Sequence, residues 1–455
     1  MGTIVALGLV AIGLVLQLLV GPVCWQHLAW PFNLILLIVY VGALIGAYAY
    51  RRKLPAVRWS MCYKAAVPAL LVASIATLLY GLTNWEDTLR CWSFVLVYLW
   101  VATIVGLVSI DRLARFTWGR IPFLLNHLGL FIALVSATLG SADMQRLKMQ
   151  AVVDVPEWRA IDDDRLVHDL PFAIKLHRFI LERYPSGEPR RFASEVDVLR
   201  EQKDAMHAVI DVNHPLIVDG WAIYQFSYDK SMGDESPVSI LELVRDLWLP
   251  AVYLGIAMLF AGALCMLFST IYKRWKRRFY IADAVLLVSV CVVGWLFKHG
   301  MDAKPLVPAL QSLWFAPHVT VYMFCYTALG IAMLIAIAQL VREWRGRPVS
   351  LSMIAVADQL VYVGLAFMTV GMLMGAVWAK EAWGHYWAWD PKETWAATTW
   401  LLYLTYIHLR LVSPHRVRLA MVMLIVSYMC IQMCWWGINY LPSAQGMSVH
   451  TYDLS

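Results

Sequence analysis

The chain alternates long apolar runs with short polar breaks. Runs long enough to cross a bilayer, about 20 residues, lie at 2–20, 31–50, 63–83, 92–110, 122–141, 247–270, 279–297, 316–341, 354–378, 394–409 and 419–437. Eleven transmembrane helices are therefore expected. One stretch breaks the pattern. Residues 142–246 are polar, with alternating apolar patches such as Trp221–Tyr228 and turn signals at Pro185–Gly187 and Asp219–Gly220. Alternation with period two between turns reads as strands. The expected fold is thus an all-α polytopic membrane protein of about 11 spans with one small, mostly β domain outside the cytoplasm.

Charge sets the direction of the spans. Basic clusters stand at Arg51–Lys53 and Arg58, at Arg112, Arg115 and Arg120, and at residues 273–278. Two more stand at Arg342, Arg345 and Arg347 and at Arg410, Arg416 and Arg418. They fall in alternate loops, and cytoplasmic loops carry the excess of Lys and Arg. The N-terminus is expected inside and the C-terminus outside. The insert 142–246, the loops 298–315 and 379–393 and the tail 438–455 then all face outward. The first run has no basic leader and no clear small-residue cleavage site, so it reads as a span rather than a signal peptide.

Composition narrows the class. Hydrophobic residues make up 61% and charged residues 15%, against about 25% charged in soluble domains. That excludes a cytosolic globular enzyme, a disordered chain and a nucleic-acid binder of the usual kind. Residues 143–245 are acidic, with 13 Lys and Arg against 19 Asp and Glu, inside a basic frame. The eight cysteines include no C-x-x-C and no C-x-x-C-H. A thioredoxin-like site, a zinc site and a c-type haem attachment site within this chain are therefore unsupported. Cys24 and Cys91, in or beside outer loops, are candidates for pairing.

Histidines fall at two depths. His127 and His408 lie at the inner ends of two spans, whereas His318 opens a span on the outer side and His450 lies in the outer tail. Ionisable groups within spans usually face a partner or a cavity, and neutral imidazole is a common axial ligand of haem iron. The plainer readings are a polar contact between helices for His127, with Asn126 beside it, and an interfacial residue for His408. His318 and His450 read equally as a turn residue and a solvated tail residue. His299 is a reserve outer candidate, and His168, His177, His207 and His214 read as surface or packing residues of the insert.

Five Trp fall between Trp378 and Trp395, denser than an interfacial belt requires. Trp383, Trp387 and Trp389, with small Gly384 and Ala388 between the rings, suggest a platform for a flat apolar ligand. Asp390-Pro391-Lys392-Glu393 reads as an N-cap, a Pro at the first helical position and a Glu that closes a capping box. A helix N-terminus also favours anionic groups, so Asp390 remains a candidate for ligand handling. Lys380 and Lys392 are candidate partners for propionates.

These residues resemble a family. Trp383-Gly-His-Tyr-Trp-Ala-Trp-Asp-Pro-Lys-Glu-Thr-Trp395 is similar to the tryptophan-rich signature, WWD, of haem-handling proteins in cytochrome c biogenesis. Its form resembles the System II cytochrome c synthase of CcsA or ResC type. Pro305–Ser312 followed by His318, Tyr406–Arg410, and Leu441-Pro442 followed by His450 match that family's histidine-bearing segments. Upstream, Asn126–Gly129, His168–Phe172 and Trp221–Gln225 resemble the CcsB or ResB partner. The resemblance implies a natural fusion, with helices of unassigned role at 1–59, a ResB-like part at 60–275 and a CcsA-like part at 276–455 that carries the loop 378–400.

The implied activity is haem transport and covalent attachment of haem b to the Cys-x-x-Cys-His segment of apocytochrome c, at the outer face of a bacterial cytoplasmic membrane. The implied roles are entry ligation by His127 and His408, and outer ligation by His318 and His450 over Trp383, Trp387 and Trp389, with Gly384 and Asp390 in the same loop. Haem, apocytochrome c, membrane lipid and thiol-reducing accessory proteins are the implied partners, and nucleic acid is not. A haem exporter serving a separate lyase and a di-haem quinone oxidoreductase subunit are the alternatives. A solute transporter would need paired broken helices or an inverted repeat, which the chain does not display.

Overall fold

In lipid a backbone can satisfy its own hydrogen bonds only as a helix or a closed barrel, so each apolar run is committed to a helix. The computed structural model describes residues 1–83, 88–275 and 306–441. Its long helices are α1 (Gly2–Val20), α2 (Phe32–Ala49), α4 (Tyr63–Thr83), α5 (Trp92–Ala114), α6 (Ile121–Gly140) and α7 (Leu249–Trp275). They continue with α8 (Phe315–Trp344), α9 (Leu351–Trp383), α10 (Pro391–Val412) and α11 (Val417–Trp435), and a short α3 spans Pro55–Ser60. Among the described residues, nine helical stretches are long and apolar enough to cross a membrane. The run expected at 279–297 and the residues His299 and His450 lie outside the described residues.

Helix α10 is the expected span that falls short of the apolar criterion. Its position explains this. It packs against α4, α9 and α11, and Thr394, Thr398, Thr399, Thr405, Tyr403 and Tyr406 along it are buried. A helix that faces protein rather than lipid can carry hydroxyls, and three of these threonines return their protons to carbonyls four residues back. The opposite case is α1, where Ile4, Leu7 and Leu18 stay exposed to the surroundings, as lipid contact requires.

Helices α6 and α7 meet along small residues. Gly129 lies against Gly255 and Met258, Gly255 against Ala133, and Gly262 against Asn126. Small residues let backbones approach where lipid supplies no hydrophobic drive. Helices α1 and α2 brace the bundle from outside. A Cβ on Gly13 of α1 would stand 2.4 Å from the Ser93 backbone. Asn33 of α2 is buried and bonds the Leu139 carbonyl and the Asp143 carboxylate, which also accepts from the Trp248 indole.

The insert is an antiparallel eight-stranded sheet: β1 (Gln145–Val152), β2 (Glu157–Ile161), β3 (Val167–Arg183), β4 (Pro189–Arg200), β5 (Lys203–Asp211), β6 (Leu216–Val218), β7 (Trp221–Tyr228) and β8 (Val238–Arg245). The order is β5-β4-β3-β2-β1-β8-β7-β6. The two end strands are consecutive in the chain, so the sheet curls toward itself. Its inner face holds Met149, Ile174, Leu176, Val196, Ile210, Ile223, Leu241 and Leu243. Both expected turns are present. Gly187 has φ +90°, and Asp219 and Gly220 both take positive φ between the paired Val218 and Trp221, as a two-residue hairpin of this hand demands.

Candidate functional site

Two expected inner histidines come from opposite halves of the sequence. His127 stands on α6, half-buried, and its Nδ1–H donates to the Phe123 carbonyl at 2.9 Å. Its ring stacks on Phe123 at 3.8 Å, and the Arg112 guanidinium covers the Phe123 ring at 5.1 Å. His408 stands near the end of α10, and its Nδ1–H donates to the Leu404 carbonyl at 2.8 Å. The ring of Tyr63 on α4 lies 6.1 Å from that of His408.

The carbonyls fix the tautomer. A carbonyl only accepts, so the facing Nδ1 must carry the proton, and the lone pair then resides on Nε2. Metal-bound histidines are commonly oriented in this way by their other nitrogen. The donor set fits haem iron. Asn126 is not the partner of His127: its amide donates to the Pro122 carbonyl and its side chain fills the gap over Gly262. An ion pair pins the C-terminal end of α10. Arg410 donates twice to Asp358 of α9, and the Tyr406 hydroxyl donates to the same carboxylate at 2.7 Å. No sequence motif marked Asp358. A lone acid inside a long apolar run was the available signal.

On the side of the β domain, His318 lies in the first turn of α8 and reaches across to α9. Its Nδ1–H donates to the Gly371 carbonyl at 2.9 Å. The ring sits against Tyr322 and Trp378, at 4.8 and 5.8 Å between centroids. Trp378 in turn donates to the Ala309 carbonyl and packs on Trp383 at 5.7 Å. The structure thus joins His318 to the start of the tryptophan loop.

The rest of that loop is gripped from two directions. Gly384 ends α9 in the left-handed region with φ +77°, and a Cβ there would meet Val244 and Tyr224 of the β domain. Lys380 is buried and donates to the Gly384 carbonyl at 2.8 Å, so it closes the helix end rather than extending toward a ligand. Trp389 also has positive φ, +58°, which is uncommon for a bulky side chain. Its ring stands edge-on to Tyr80, Phe94 and Tyr98 from α4 and α5, at 6.2, 5.9 and 6.2 Å, and to Trp387 at 5.8 Å. Trp383 and Trp387 are half-buried.

Asp390 forms the expected capping box. It accepts from the Glu393 backbone at 2.8 Å, and the Glu393 carboxylate accepts from the backbone of Ala388 and Asp390. Cys24 and Cys91 are both free thiols.

The β domain braces the segment that leads to His318. Asn213 donates to the Pro308 carbonyl, Tyr184 to the Leu306 carbonyl and Gln311 to the Arg190 carbonyl. The two halves of the chain therefore share one surface on the side of the β domain.

Two families of known proteins match separate parts of the chain. Residues 115–240 match a family described as ResB-like, and residues 252–444 match one described as cytochrome C assembly protein. A cytochrome c biogenesis protein CcsA of Guillardia theta is 32% identical over 250 residues, covering 47% of this chain and 82% of that protein. The CcsA of Chlamydomonas reinhardtii is 37% identical over 179 residues, covering 38% of this chain and 50% of that protein. That of Synechococcus sp. (strain CC9902) is 37% identical over 184 residues, covering 33% of this chain and 59% of that protein. The chain thus spans about half the length of some curated relatives and most of another.

Proposed function

Because this chain belongs to the CcsA family of cytochrome c biogenesis proteins, with a ResB-like part in the same polypeptide, we propose that it is a holocytochrome c synthase. It takes up haem b on the inner side, carries it across the membrane and presents it outside to the Cys-x-x-Cys-His segment of an apocytochrome c. Two thioether bonds then join the haem to that segment. The location expected from the basic loops, with the N-terminus inside and the β domain and tryptophan loop outside, belongs to the same reading.

One observation carries it. His127 and His408, contributed by the two family-matched parts, each commit Nδ1 to a carbonyl four residues back and leave Nε2 with its lone pair. That arrangement suits entry ligation of haem iron through Nε2. Arg112, over the ring that stacks on His127, supplies positive charge for a propionate. Outside, His318 and His450 serve as the second ligand pair, and Trp383, Trp387 and Trp389 define the surface on which the ring rests. Asp390 and Gly384 hold the shape of that loop.

No side chain of the outer surface is assigned as a general base. The rate gain comes from holding the vinyl edge of the haem and two thiols in one orientation, where well-placed reactants gain up to about 7–11 kcal/mol. The His of the apocytochrome segment replaces one outer ligand and frees the product. Thiol-reducing accessory proteins keep the segment competent.

The test is expression with an apocytochrome in a host that lacks its own assembly machinery. Covalent holocytochrome should form. His127→Ala and His408→Ala should each lower co-purified haem and holocytochrome, and added imidazole should restore part of both. Normal haem in both variants would refute the entry pair. Bound haem without any covalent product would reduce the role to haem delivery.

A further inference from the structure

Away from the haem path, three strands of the β domain bring two histidines and two carboxylates to one outer patch. His177 of β3, Asp197 of β4 and His207 of β5 place their donor atoms within 4.8 Å of one another. His177 Nε2 lies 2.8 Å from one Asp197 oxygen, and His207 Nδ1 lies 3.0 Å from the other. His207 Nε2 lies 3.2 Å from Glu195, whose second oxygen accepts from Arg178 at 2.6 Å.

The backbone is shaped for this meeting. Asp197 and His207 are direct cross-strand partners. His177 is the extra residue of a β-bulge between Leu176 and Arg178, and bulges re-aim side chains. Leu176 still points into the core, while His177 turns outward to the same carboxylate as His207.

His207 calls for positive charge here, either as a second ring proton or as a bound cation. A neutral imidazole carries one N–H, yet His207 faces a carboxylate oxygen at each nitrogen. In the neutral form one lone pair would point at a negative oxygen. A metal ion between His207 Nδ1 and Asp197 removes that conflict and leaves Nε2–H to donate to Glu195. This is the outer carboxylate–histidine–metal arrangement that orients metal ligands. Ligands about 2.0–2.1 Å from zinc stand roughly 3.3 Å apart in a tetrahedron, so the His–Asp pairs, at 2.8 and 3.0 Å, need to open only slightly to admit the ion.

We infer that His177 Nε2, His207 Nδ1 and the Asp197 carboxylate form a binding site for a divalent transition metal of the zinc class, with Glu195 as the carboxylate that positions His207. The remaining coordination position faces solvent, because His207 is exposed. Bound metal would tie the end strand β5 to β4 and β3. The site is independent of the haem ligands.

The test uses Zn²⁺ and Co²⁺ with the full-length protein in detergent. The wild type should bind one more equivalent of Zn²⁺ than the His177→Gln/His207→Gln variant. Its Co²⁺ form should show a visible ligand-field band that the variant lacks. Glu195→Gln should weaken Zn²⁺ binding by about 10–100-fold, the usual effect of losing an outer carboxylate. Equal Zn²⁺ uptake by wild type and the double variant would overturn the proposal. Should the double variant fail to fold, Asp197→Asn keeps the side-chain shape, and unchanged Zn²⁺ affinity in that variant would overturn it equally. A response to protons alone, with no metal uptake, would also overturn it.

Discussion

The ring of His318 fills the space that Gly375 leaves on α9: a Cβ at Gly375 would stand 2.8 Å from Cε1 of the imidazole. One turn earlier on the same helix, the Gly371 carbonyl receives the His318 Nδ1–H. Helix α9 therefore both makes room for the ring and sets its tautomer. Neither role needs a polar side chain, so α9 remains an apolar span.

Gly375→Ala should displace the His318 ring and break its bond to Gly371. We expect outer haem to be loosened and holocytochrome yield to fall several-fold, with the protein still inserted and the inner haem retained. Absorption spectra of the purified variant provide the check. An unaltered haem spectrum would show that His318 has no such dependence on α9.

The tryptophans of the loop should separate by position. Trp389 meets three rings of α4 and α5, and such pairs contribute about 0.5–1.5 kcal/mol each beyond burial. Trp389→Ala should therefore lower thermal stability more than Trp387→Ala. If the rings also carry haem, a triple exchange of Trp383, Trp387 and Trp389 to Phe should lose or loosen the outer haem in a protein that still inserts. Normal haem content and activity in that triple variant would rule out the platform.

Asp390 distinguishes capping from charge. Its side chain accepts from the Glu393 backbone, a bond that Asn can also receive. Asp390→Asn should be mild, and Asp390→Ala should cost about 1 kcal/mol. Thermal melts of both variants measure this. Loss of activity in a stably folded Asn variant would show that the negative charge itself matters.

Acid should weaken one edge of the β domain. The Arg178 hydrogen bond holds Glu195 below the usual carboxylate range, and the bonds from His207 and His177 do the same for Asp197. A depressed carboxylate pKa contributes stability above its unfolded value, and that contribution is lost as pH falls through the folded value. The unfolded values lie near about 4. The melting temperature of wild type should exceed that of Glu195→Gln/Asp197→Asn at neutral pH, and the gap should close below about pH 4. Both groups are only partly buried, so salt should narrow the gap as well. A gap independent of pH would point to packing.

Local features were legible in the residues themselves. The described spans begin and end within a few residues of the apolar runs, because lipid leaves each run no alternative to the helix. The capping box at Asp390 and the hairpin at Asp219-Gly220 depend on three or four adjacent residues. The strand Trp221–Tyr228 follows from alternation alone.

What the tertiary structure decided is which distant residues meet. The bond from His318 to Gly371 depends on how α8 and α9 pack, and nothing in either segment encodes the other's position. Trp389 reads as one more ring of a dense loop until α4 and α5 close around it. Gly384 reads as a spacer until the β domain lies against it. Asp358 finds Arg410 only across two packed helices. His177 reads as a surface residue until a one-residue bulge turns it toward Asp197 and His207. Each of these contacts rests on helix adjacency or strand register. Those are set by many weak long-range contacts summed over the whole fold, whereas a helix or a cap is set by its own few residues.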